Sequence, residues 1–310
     1  MPNPSVLRAL RTARAMRTAV FRPPWVESGH FYSPMTAPAD AERAAAWAEN
    51  VPSALPGVDI SADQQLVFAS KLANSLNEPL PGPRYYPDNS QFGPADGAVY
   101  RAILNELRPA RVVEVGSGFS TAVLLDEADR SQLDVEVTCI EPYPQRLLGL
   151  MRDSDRERVT LHRKPVQDVP LDVYNQLGSG DILFIDSTHV VKAGSDVNWL
   201  FLRVLPQLNE GVVVHIHDIF WPFEYPKTWL CERRDWTEDY LLHAFLIGND
   251  SWRIMLFSSW LWKNHPELVP DHLRGREPGS IWLRRVNNLA VDVTPIVGAA
   301  VKARCPRPPH

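Results

Sequence analysis

The sequence predicts a doubly wound α/β fold, in which a mostly parallel β-sheet carries helices on both faces. From residue 95 onward, short β-branched runs alternate with stretches of helical hydrophobic pattern. No hairpin turn signal separates consecutive runs, and the first run ends in glycines that lead directly into a helix. Since parallel strands need crossover connections, which are usually helices, this alternation indicates one layered α/β sheet.

The elements follow in order from a first predicted helix at Ala95 to Leu107. It precedes the strand RVVEV, the turn GSG and the helix pattern STAVLLDEA. The later strands are predicted as VEVTCIE (135–141), RVTLHRK (158–164), DILFID (181–186), GVVVHIHD (211–218), Trp252 to Ser258 and Ser280 to Arg285. Helices are predicted between them at 144–152, near 170–177, and at Asp196 to Leu208 and Glu238 to Ile247. The pattern therefore predicts seven strands.

The two ends of the chain differ in amino-acid composition from this central part. The 28 prolines concentrate in residues 1–94 and in the last residues, which indicates irregular chain around one helix, Ser61 to Leu76. We therefore expect an N-terminal arm or lid (1–94), a catalytic domain (95–290) and a C-terminal tail (291–310). Residues 1–26 hold five arginines and no acid, which predicts a basic amphipathic helix. It would pack or dimerise, so a homodimer stays open, and docking to a membrane surface is the alternative.

Composition excludes several classes of protein. The 310 residues are 45% hydrophobic and 22% charged with a net charge of −5, as in soluble globular proteins. No apolar stretch reaches the roughly 18 to 20 residues of a membrane span. No basic block follows residue 26, which argues against nucleic acid and for a small-molecule substrate. The three cysteines, an odd number without metal-ligand spacing, favour the cytoplasm.

A glycine-containing turn follows the first strand, where doubly wound sheets bind ligands. It reads Glu114-Val115-Gly116-Ser117-Gly118-Phe119-Ser120. The glycines allow close backbone approach to a ligand, and Ser117 or Ser120 could cap the next helix. Glu141 ends the second strand, where a carboxylate can accept hydrogen bonds from both ribose hydroxyls of a nucleoside. Turn and acid together predict a nucleoside cofactor.

The residues of the turn also bear on which cofactor binds. Thr121 stands where a dinucleotide-binding turn needs a third small residue. Glu114 would place a buried negative charge beside the ligand, which is unfavourable for a pyrophosphate but suits S-adenosylmethionine, with its ammonium and sulfonium cations. An NAD-dependent oxidoreductase and a non-catalytic cofactor-binding scaffold are the alternatives.

Longer strings make the comparison more specific. The string EVGSGFS followed by IEP resembles motifs I and II of class I S-adenosylmethionine-dependent methyltransferases. PVQDV, DILFIDSTHVVKAGSDVN and VHIHDIFWPFEYP resemble the bacterial family called methyltransferase domain 24, over roughly residues 84–262. The resemblance implies a Rossmann-like seven-stranded sheet with an antiparallel last strand. It also implies methyl transfer to a small molecule, with a hydroxyl acceptor favoured over carbon or nitrogen, in specialised metabolism.

The resemblance also assigns cofactor-binding positions. It places Glu114 and Gly116 at the methionine moiety, Glu141 at the ribose, and Gln167 or Asp168 at the adenine. The rest of the turn and the end of the fourth strand complete the expected cofactor site, through Ser117, Gly118, Ser120 and Asp186.

Acids and histidines end the fourth and fifth strands. Asp186 and Asp218 should stand together because adjacent strands lie about 4.8 Å apart. His189 and His217 join them as catalytic candidates, and we favour one of these histidines as a general base oriented by an aspartate. In the alternative, Asp186 and Asp218 hold Mg²⁺ or another divalent metal. His215, deeper in the strand, is expected to be a core residue.

An aromatic segment follows the fifth strand and is expected to fold over the same crevice. The predicted substrate-binding residues are Trp221, Phe223, Tyr225 and Trp229. The alternative is a hydrophobic core under a long loop. Nearby cations could meet an anionic substrate group or form a solvated rim: Lys192, Lys227, Arg233 and Arg234.

Overall fold

A computed structural model describes residues 24–49, 54–80 and 82–286 of the chain. Most of the predicted basic helix (1–26), the whole predicted tail (291–310) and Cys305 lie outside these described residues. Within the described ranges, no helix combines the length and apolar character needed to cross a membrane.

Seven strands form one sheet, in which a single strand runs antiparallel to the others. They are β1 (Arg111–Val115), β2 (Glu136–Ile140), β3 (Val159–His162), β4 (Ile182–Ile185), β5 (Val213–His217), β6 (Trp252–Phe257) and β7 (Ser280–Arg285). The order across the sheet is β3-β2-β1-β4-β5-β7-β6. β7 is antiparallel to both neighbours, and every other pairing is parallel. The predicted Rossmann-like sheet with an antiparallel last strand is confirmed.

Helices flank the sheet on both sides. They are α1 (Pro38–Glu49), α2 (Ala62–Asn77), α3 (Pro94–Leu107), α4 (Phe119–Ser131), α5 (Gln145–Leu150), α6 (Asp172–Asn175), α7 (Asp196–Trp199), α8 (Lys227–Cys231), α9 (Glu238–Leu246) and α10 (Ser258–Asn264). Short 3₁₀ segments lie at Asp153–Glu157, Val166–Asp168, Leu205–Gln207, Pro266–Leu268 and Asp271–Leu273.

The helix predicted from Asp196 to Leu208 is split. Its α-helical part ends at Trp199, a π turn covers Leu200–Val204, and a 3₁₀ turn completes the segment. Pro206 lies in that last turn and has no N–H to donate. The predicted extent is therefore right, but its hydrogen bonding is not that of one α-helix.

The centre of the sheet forms the core. β4 and β5 are buried at every position and β1 at all but Arg111, which explains their continuous apolar runs. α2 belongs to the same core, since Leu72 and Leu76 on it are buried and it packs against α3 and β6. The expected N-terminal arm thus contributes side chains to the core of the sheet domain.

A buried arginine fixes the chain just before α3. The Arg84 side chain is 2% exposed, and its guanidinium donates to Asp126 at 2.8 Å and to both carboxylate oxygens of Asp155 at 2.8 and 2.6 Å. Asp129 adds a third carboxylate at 2.8 Å. Asp126 and Asp129 lie on α4, so this cluster holds the incoming segment against the helix that follows the glycine turn.

Candidate functional site

Two adjoining cavities open at the carboxyl ends of β1, β2 and β4, where the strand order reverses. The large cavity has a volume of about 420 Å³ and reaches Tyr143, Val166 and Gln167. The small cavity, of about 180 Å³, reaches the start of α4, Phe92 and Arg146. Both cavities are lined by Gly116, Glu141, Asp186 and Ser187. An elongated ligand could therefore occupy both.

The glycine turn forms the wall between β1 and β4. Gly116 has φ +79°, and a Cβ atom there would lie 2.0 Å from the backbone oxygen of Asp186. Its N–H donates to Ile140 O at 3.1 Å, and Asp186 N–H donates to Val115 O at 2.8 Å. Gly118 is extended, and a Cβ there would meet only the flexible side chain of Arg146 at 3.1 Å. At Gly116 and Gly118, backbone atoms without a side chain thus face the cavities.

The hydroxyls of the turn point to Glu114 and do not cap α4. Ser120 donates to one carboxylate oxygen of Glu114, and Thr121 donates to the other at 2.6 Å. Thr121 Oγ1 also accepts the Gly118 N–H at 3.1 Å, and Gly118 itself is the N-cap. The expected capping by Ser117 or Ser120 is therefore not formed, because Glu114 binds the Ser120 hydroxyl and a residue without a side chain occupies the cap.

Glu114 is fully buried beneath this turn. Burial raises the pKa of Glu114 to about 7, although hydrogen bonds from Ser120 and Thr121 oppose the rise. The residue lines neither cavity. Glu114 therefore does not touch the space in either cavity, and its hydrogen bonds with Ser120 and Thr121 hold the turn that lines them.

Of the three residues predicted to contact the ribose or the adenine, two reach the large cavity. Glu141 lines both cavities, and its carboxylate accepts the N–H groups of Ser117 at 3.3 Å and Tyr143 at 2.7 Å. Gln167 lines the large cavity and donates to Gly194 O at 2.9 Å. Asp168 is exposed and lines neither cavity. Of the two adenine candidates, the structure thus places Gln167 at the cavity.

The four predicted catalytic residues form one cluster. His189 Nε2 lies 3.4 Å from Asp186 Oδ1 and 3.7 Å from Asp218 Oδ2. His217 Nε2 lies 3.6 Å from the other oxygen of Asp218. These are ion-pair distances, longer than ordinary hydrogen bonds. Asp186 is the member of the cluster that lines both cavities, with its side chain 34% exposed.

A fifth residue, Glu238, completes the cluster. Its Oε2 lies 2.8 Å from His189 Nδ1 and accepts the Ser187 hydroxyl at 2.8 Å. Sequence reasoning missed Glu238 because an acid at the first position of a predicted helix also fits a simple interaction with the helix dipole. Only a buried partner 49 residues earlier in the chain shows otherwise.

Charge in the cluster changes the expected role of His189. Burial by itself would lower the pKa of His189, but the neighbouring carboxylates of Asp186 and Glu238 outweigh burial and raise it well above the ordinary value. Burial likewise opposes the ionisation of Asp186, yet the contact with His189 leaves the pKa of Asp186 lowered. At neutral pH the pair is therefore an imidazolium and a carboxylate, and His189 has no free lone pair to act as a base.

The histidines of β5 lie away from the cavities. Burial opposes protonation of His217, but Asp218, Asp186 and Asp96 raise its pKa, and its ring packs against Phe92. His215 is buried beside Phe184, and neither of its ring nitrogens has a hydrogen-bond partner within the described chain. Burial lowers the pKa of His215 well below its usual value, so it stays neutral in the core, as expected.

In the structure, a histidine nitrogen lies between the two aspartates that were predicted as alternative metal ligands. Across residues 24–49, 54–80 and 82–286, no group of three or more His, Cys, Asp or Glu is placed to hold a metal ion. The position between the carboxylates of Asp186 and Asp218 is taken by His189 Nε2. The two aspartates are already bridged by a cation from the chain itself.

Trp221 and Phe223 are core residues and line neither cavity. The Trp221 ring packs edge-on against Phe257, and the backbone N–H of Trp221 donates to Ser259 Oγ at 2.8 Å. Phe223 stacks on His243 with ring centroids 4.8 Å apart. For these two positions the structure shows the alternative, a hydrophobic core under a loop, because the segment folds back onto β6 and α9.

Tyr225 and Trp229 line a separate, narrow pocket. The Arg234 guanidinium lies 3.9 Å from the ring centroid of Trp229, and Trp236 packs against the same indole at 5.1 Å. Trp236 in turn contacts the His189 ring, with centroids 4.3 Å apart. Trp236 therefore connects this aromatic pocket to the cluster of histidines and aspartates.

Comparison with known proteins gives a family for the central segment. Residues 113–219 match the family described as Methyltransferase domain. An uncharacterised protein of Archaeoglobus fulgidus is 29% identical over 163 residues, which is 48% of this chain and 72% of that protein.

Solved structures of methyltransferases are also similar to this chain. The apo structure of CmcI-N160 has 23% identity and a TM-score of 0.40, over 63% of this chain and 72% of that one. The S-adenosylhomocysteine-bound Podospora anserina methyltransferase PaMTH1 has 13% identity and a TM-score of 0.42, over 81% of this chain and 97% of that one.

Proposed function

The chain carries a class I S-adenosylmethionine-dependent methyltransferase domain, and from this premise we propose that it methylates a small-molecule acceptor in specialised metabolism, with a hydroxyl acceptor favoured. The observation that carries the proposal is the pair of cavities that share Gly116, Glu141, Asp186 and Ser187. They adjoin at the reversal of strand order, where a nucleoside and its extension can lie end to end.

The residues present fit S-adenosylmethionine. Glu141 would accept hydrogen bonds from the ribose, Gln167 would lie at the adenine, and the bare turn at Gly116 would lie along the methionine moiety. Gly116 has φ +79°, a left-handed conformation that favours glycine, and its backbone lines both cavities without a side chain. When bound, the cofactor supplies an electrophilic methyl group on a sulfonium cation. The ionised carboxylate of Asp186 lines both cavities and would stabilise positive charge there.

A hydroxyl acceptor must lose its proton as its oxygen bonds to carbon. Neither histidine suits this task, since His189 is already protonated and His217 lines neither cavity. We assign proton acceptance to the carboxylate of Asp186, which lines both cavities. Asp218 lines neither cavity and shares His189 with Asp186. His189 balances their negative charge and holds them in place.

Charge and thiol chemistry support a small acceptor and a cytoplasmic location. The net charge of −5 is unfavourable for holding a nucleic acid by its phosphates. Cys139 and Cys231 are both free thiols, which suits a reducing compartment.

Calorimetry with S-adenosylmethionine and with NAD tests the cofactor. We expect the first to bind and the second not to bind, and preferential binding of NAD would overturn the proposal. Transfer of a labelled methyl group to a panel of phenols, aliphatic alcohols and amines then tests the acceptor class. Faster transfer to the amines would replace the hydroxyl assignment.

Adding EDTA to the same methyl-transfer assay tests whether the reaction needs a metal ion. We expect full activity in EDTA because His189 bridges Asp186 and Asp218 in place of a cation. Loss of activity in EDTA with recovery in Mg²⁺ or Mn²⁺ would show that these carboxylates bind a metal after all.

A further inference from the structure

Glu238 is a buried acid that the proposed reaction does not yet use. It is the first residue of α9 and has no exposed surface. A single oxygen, Oε2, meets both the Ser187 hydroxyl and His189 Nδ1 at 2.8 Å. Ser187 lines both cavities, and His189 reaches the two catalytic aspartates with its opposite nitrogen. One carboxylate oxygen therefore contacts two neighbouring parts of the site.

Further hydrogen bonds hold the loop after β4 against the start of α9. His189 O accepts the N–H groups of Thr237 at 2.8 Å and Glu238 at 3.2 Å. Thr237 Oγ1 accepts the Val191 N–H at 2.7 Å. The loop after β4 is thus joined to the start of α9 by two main-chain hydrogen bonds and by one from the Val191 N–H to the Thr237 hydroxyl. Glu238 has little freedom to reach other partners.

The next acid along α9 serves as an internal comparison. Asp239 is equally buried but faces the aromatic segment, where it accepts the Phe220 N–H at 3.3 Å. Burial raises the pKa of Asp239 well above its usual value. The two adjacent buried acids therefore have different partners, and of the two only Glu238 touches the cluster.

We infer that Glu238 is a positioning residue for methyl transfer, which fixes the Ser187 hydroxyl and the His189 ring so that His189 Nε2 lies between Asp186 and Asp218. This inference rests on the proposed function. An imidazole that donates from both nitrogens needs an acceptor at each end, and Glu238 supplies the one at Nδ1. Without it, the ring is free to turn away and the two aspartates lose their common partner.

Glu238→Gln tests the inference because it keeps the size of the side chain but removes its charge. Using the most reactive acceptor of the panel, we expect kcat to fall by about 10- to 100-fold, as for other residues that orient a histidine. The Kd for S-adenosylmethionine should stay within about threefold. Asp239→Asn, the matched control, should retain both values, and Glu238→Asp should recover part of kcat. An unchanged kcat in Glu238→Gln would overturn the inference.

A double-mutant cycle separates positioning from a general structural loss. If Glu238 acts through the ring, the variant carrying Glu238→Gln and His189→Asn should be no slower than His189→Asn alone. Independent, multiplying losses would show that Glu238 does not act through His189.

Proton NMR provides a readout that needs no acceptor. A hydrogen-bonded His189 Nδ1–H should give a downfield signal that is absent from His189→Asn and unchanged in Asp239→Asn. In Glu238→Gln the signal should move upfield, because an amide oxygen is a weaker acceptor than a carboxylate. Absence of this signal from the unmodified protein, or an unchanged position in Glu238→Gln, would overturn the inference even if a variant folded poorly. If the signal behaves as expected but S-adenosylmethionine does not bind, the proposed function fails and the geometry stands.

Discussion

Gly116 illustrates how one position can meet a structural and a functional demand together. The sequence predicted a glycine that lets a ligand approach the backbone. In the structure, a Cβ atom there would first strike the Asp186 backbone, 2.0 Å away on the end of the neighbouring strand. A bulkier residue would therefore disturb the pairing of β1 with β4 before it met a ligand. Gly118 is less constrained, because only the Arg146 side chain lies near it.

Glu141→Ala should weaken S-adenosylmethionine binding by at least about 10- to 150-fold. This range corresponds to one charge-assisted hydrogen bond, worth about 1.5 to 3 kcal/mol, and the variant removes both bonds expected to the ribose hydroxyls. Glu136→Ala is the matched control, since Glu136 lies at the other end of β2 with its side chain 75% exposed. Calorimetry gives both dissociation constants. Equal values for Glu141→Ala and the unmodified protein would remove Glu141 from the cofactor site.

Sequence reasoning could select site residues where position along a strand limits their location. Asp186 and Asp218 end adjacent parallel strands, so their proximity follows from the fold. The contact of Glu238 with His189 depends on how a later loop folds back, which no local pattern encodes. Trp221 and Phe223 were misassigned for a related reason, because hydrophobic burial has no direction and a loop aromatic can face a core or a ligand equally well.

Glu114 joins two elements, since it lies on β1 and binds two hydroxyls of the first turn of α4. The strands were predictable from short apolar runs, which are rich in β-branched residues in β1 (RVVEV) and β5 (VVHIH). The helices α3, α4 and α9 were predictable from their hydrophobic period. α1, α8 and α10 were missed. α8 and α10 have only five and seven residues, too few for a clear period, and α10 follows β6 without a turn signal.

Stability should fall as pH rises from about 4.5 to 7, and Glu114 should cause part of this fall. Burial raises the pKa of Glu114 to about 7, whereas an unfolded glutamate has a pKa near 4.3. Between these values the native state binds more protons than the unfolded state, so the free energy of unfolding decreases with pH and then levels off.

Urea denaturation at pH 5, 6 and 8 measures this dependence. Glu114→Gln cannot ionise and should show a shallower decrease, with Asp96, whose pKa is also raised to about 7, supplying some of the remainder. The exposed Glu136→Gln variant should follow the unmodified protein. Identical slopes for Glu114→Gln and the unmodified protein would contradict the assignment.

At the scale of the whole molecule, the chain before residue 95 is fastened to the sheet domain at several places. α1 packs against α8, and Thr36 N–H donates to Asp235 Oδ1 at 2.8 Å. α2 packs against β6, and Arg84 holds the last part of the segment to α4. We keep 95–290 as the proposed catalytic domain, with the preceding residues as a wrapping arm that shares its core.

Arg84→Ala should lower the free energy of unfolding by about 3 to 5 kcal/mol. The variant leaves the buried carboxylates of Asp126 and Asp155 without their cation, and breaking a buried ion pair costs an amount of this order. Arg43→Ala removes an exposed pair with Asp40 and should change stability by less than about 1 kcal/mol. Chemical denaturation of both variants checks the contrast, and equal effects would argue against Arg84 as the main fastening.

The packing of α2 on β6 also bears on aggregation. β6 is an edge strand, and the free N–H groups of such an edge can pair with a strand of another molecule. The Phe257 N–H at its end is instead satisfied within the chain by the buried Gln65 side chain of α2, at 2.6 Å. The arm therefore satisfies a donor at the end of this edge strand, which leaves one N–H group fewer for pairing with a strand of another molecule.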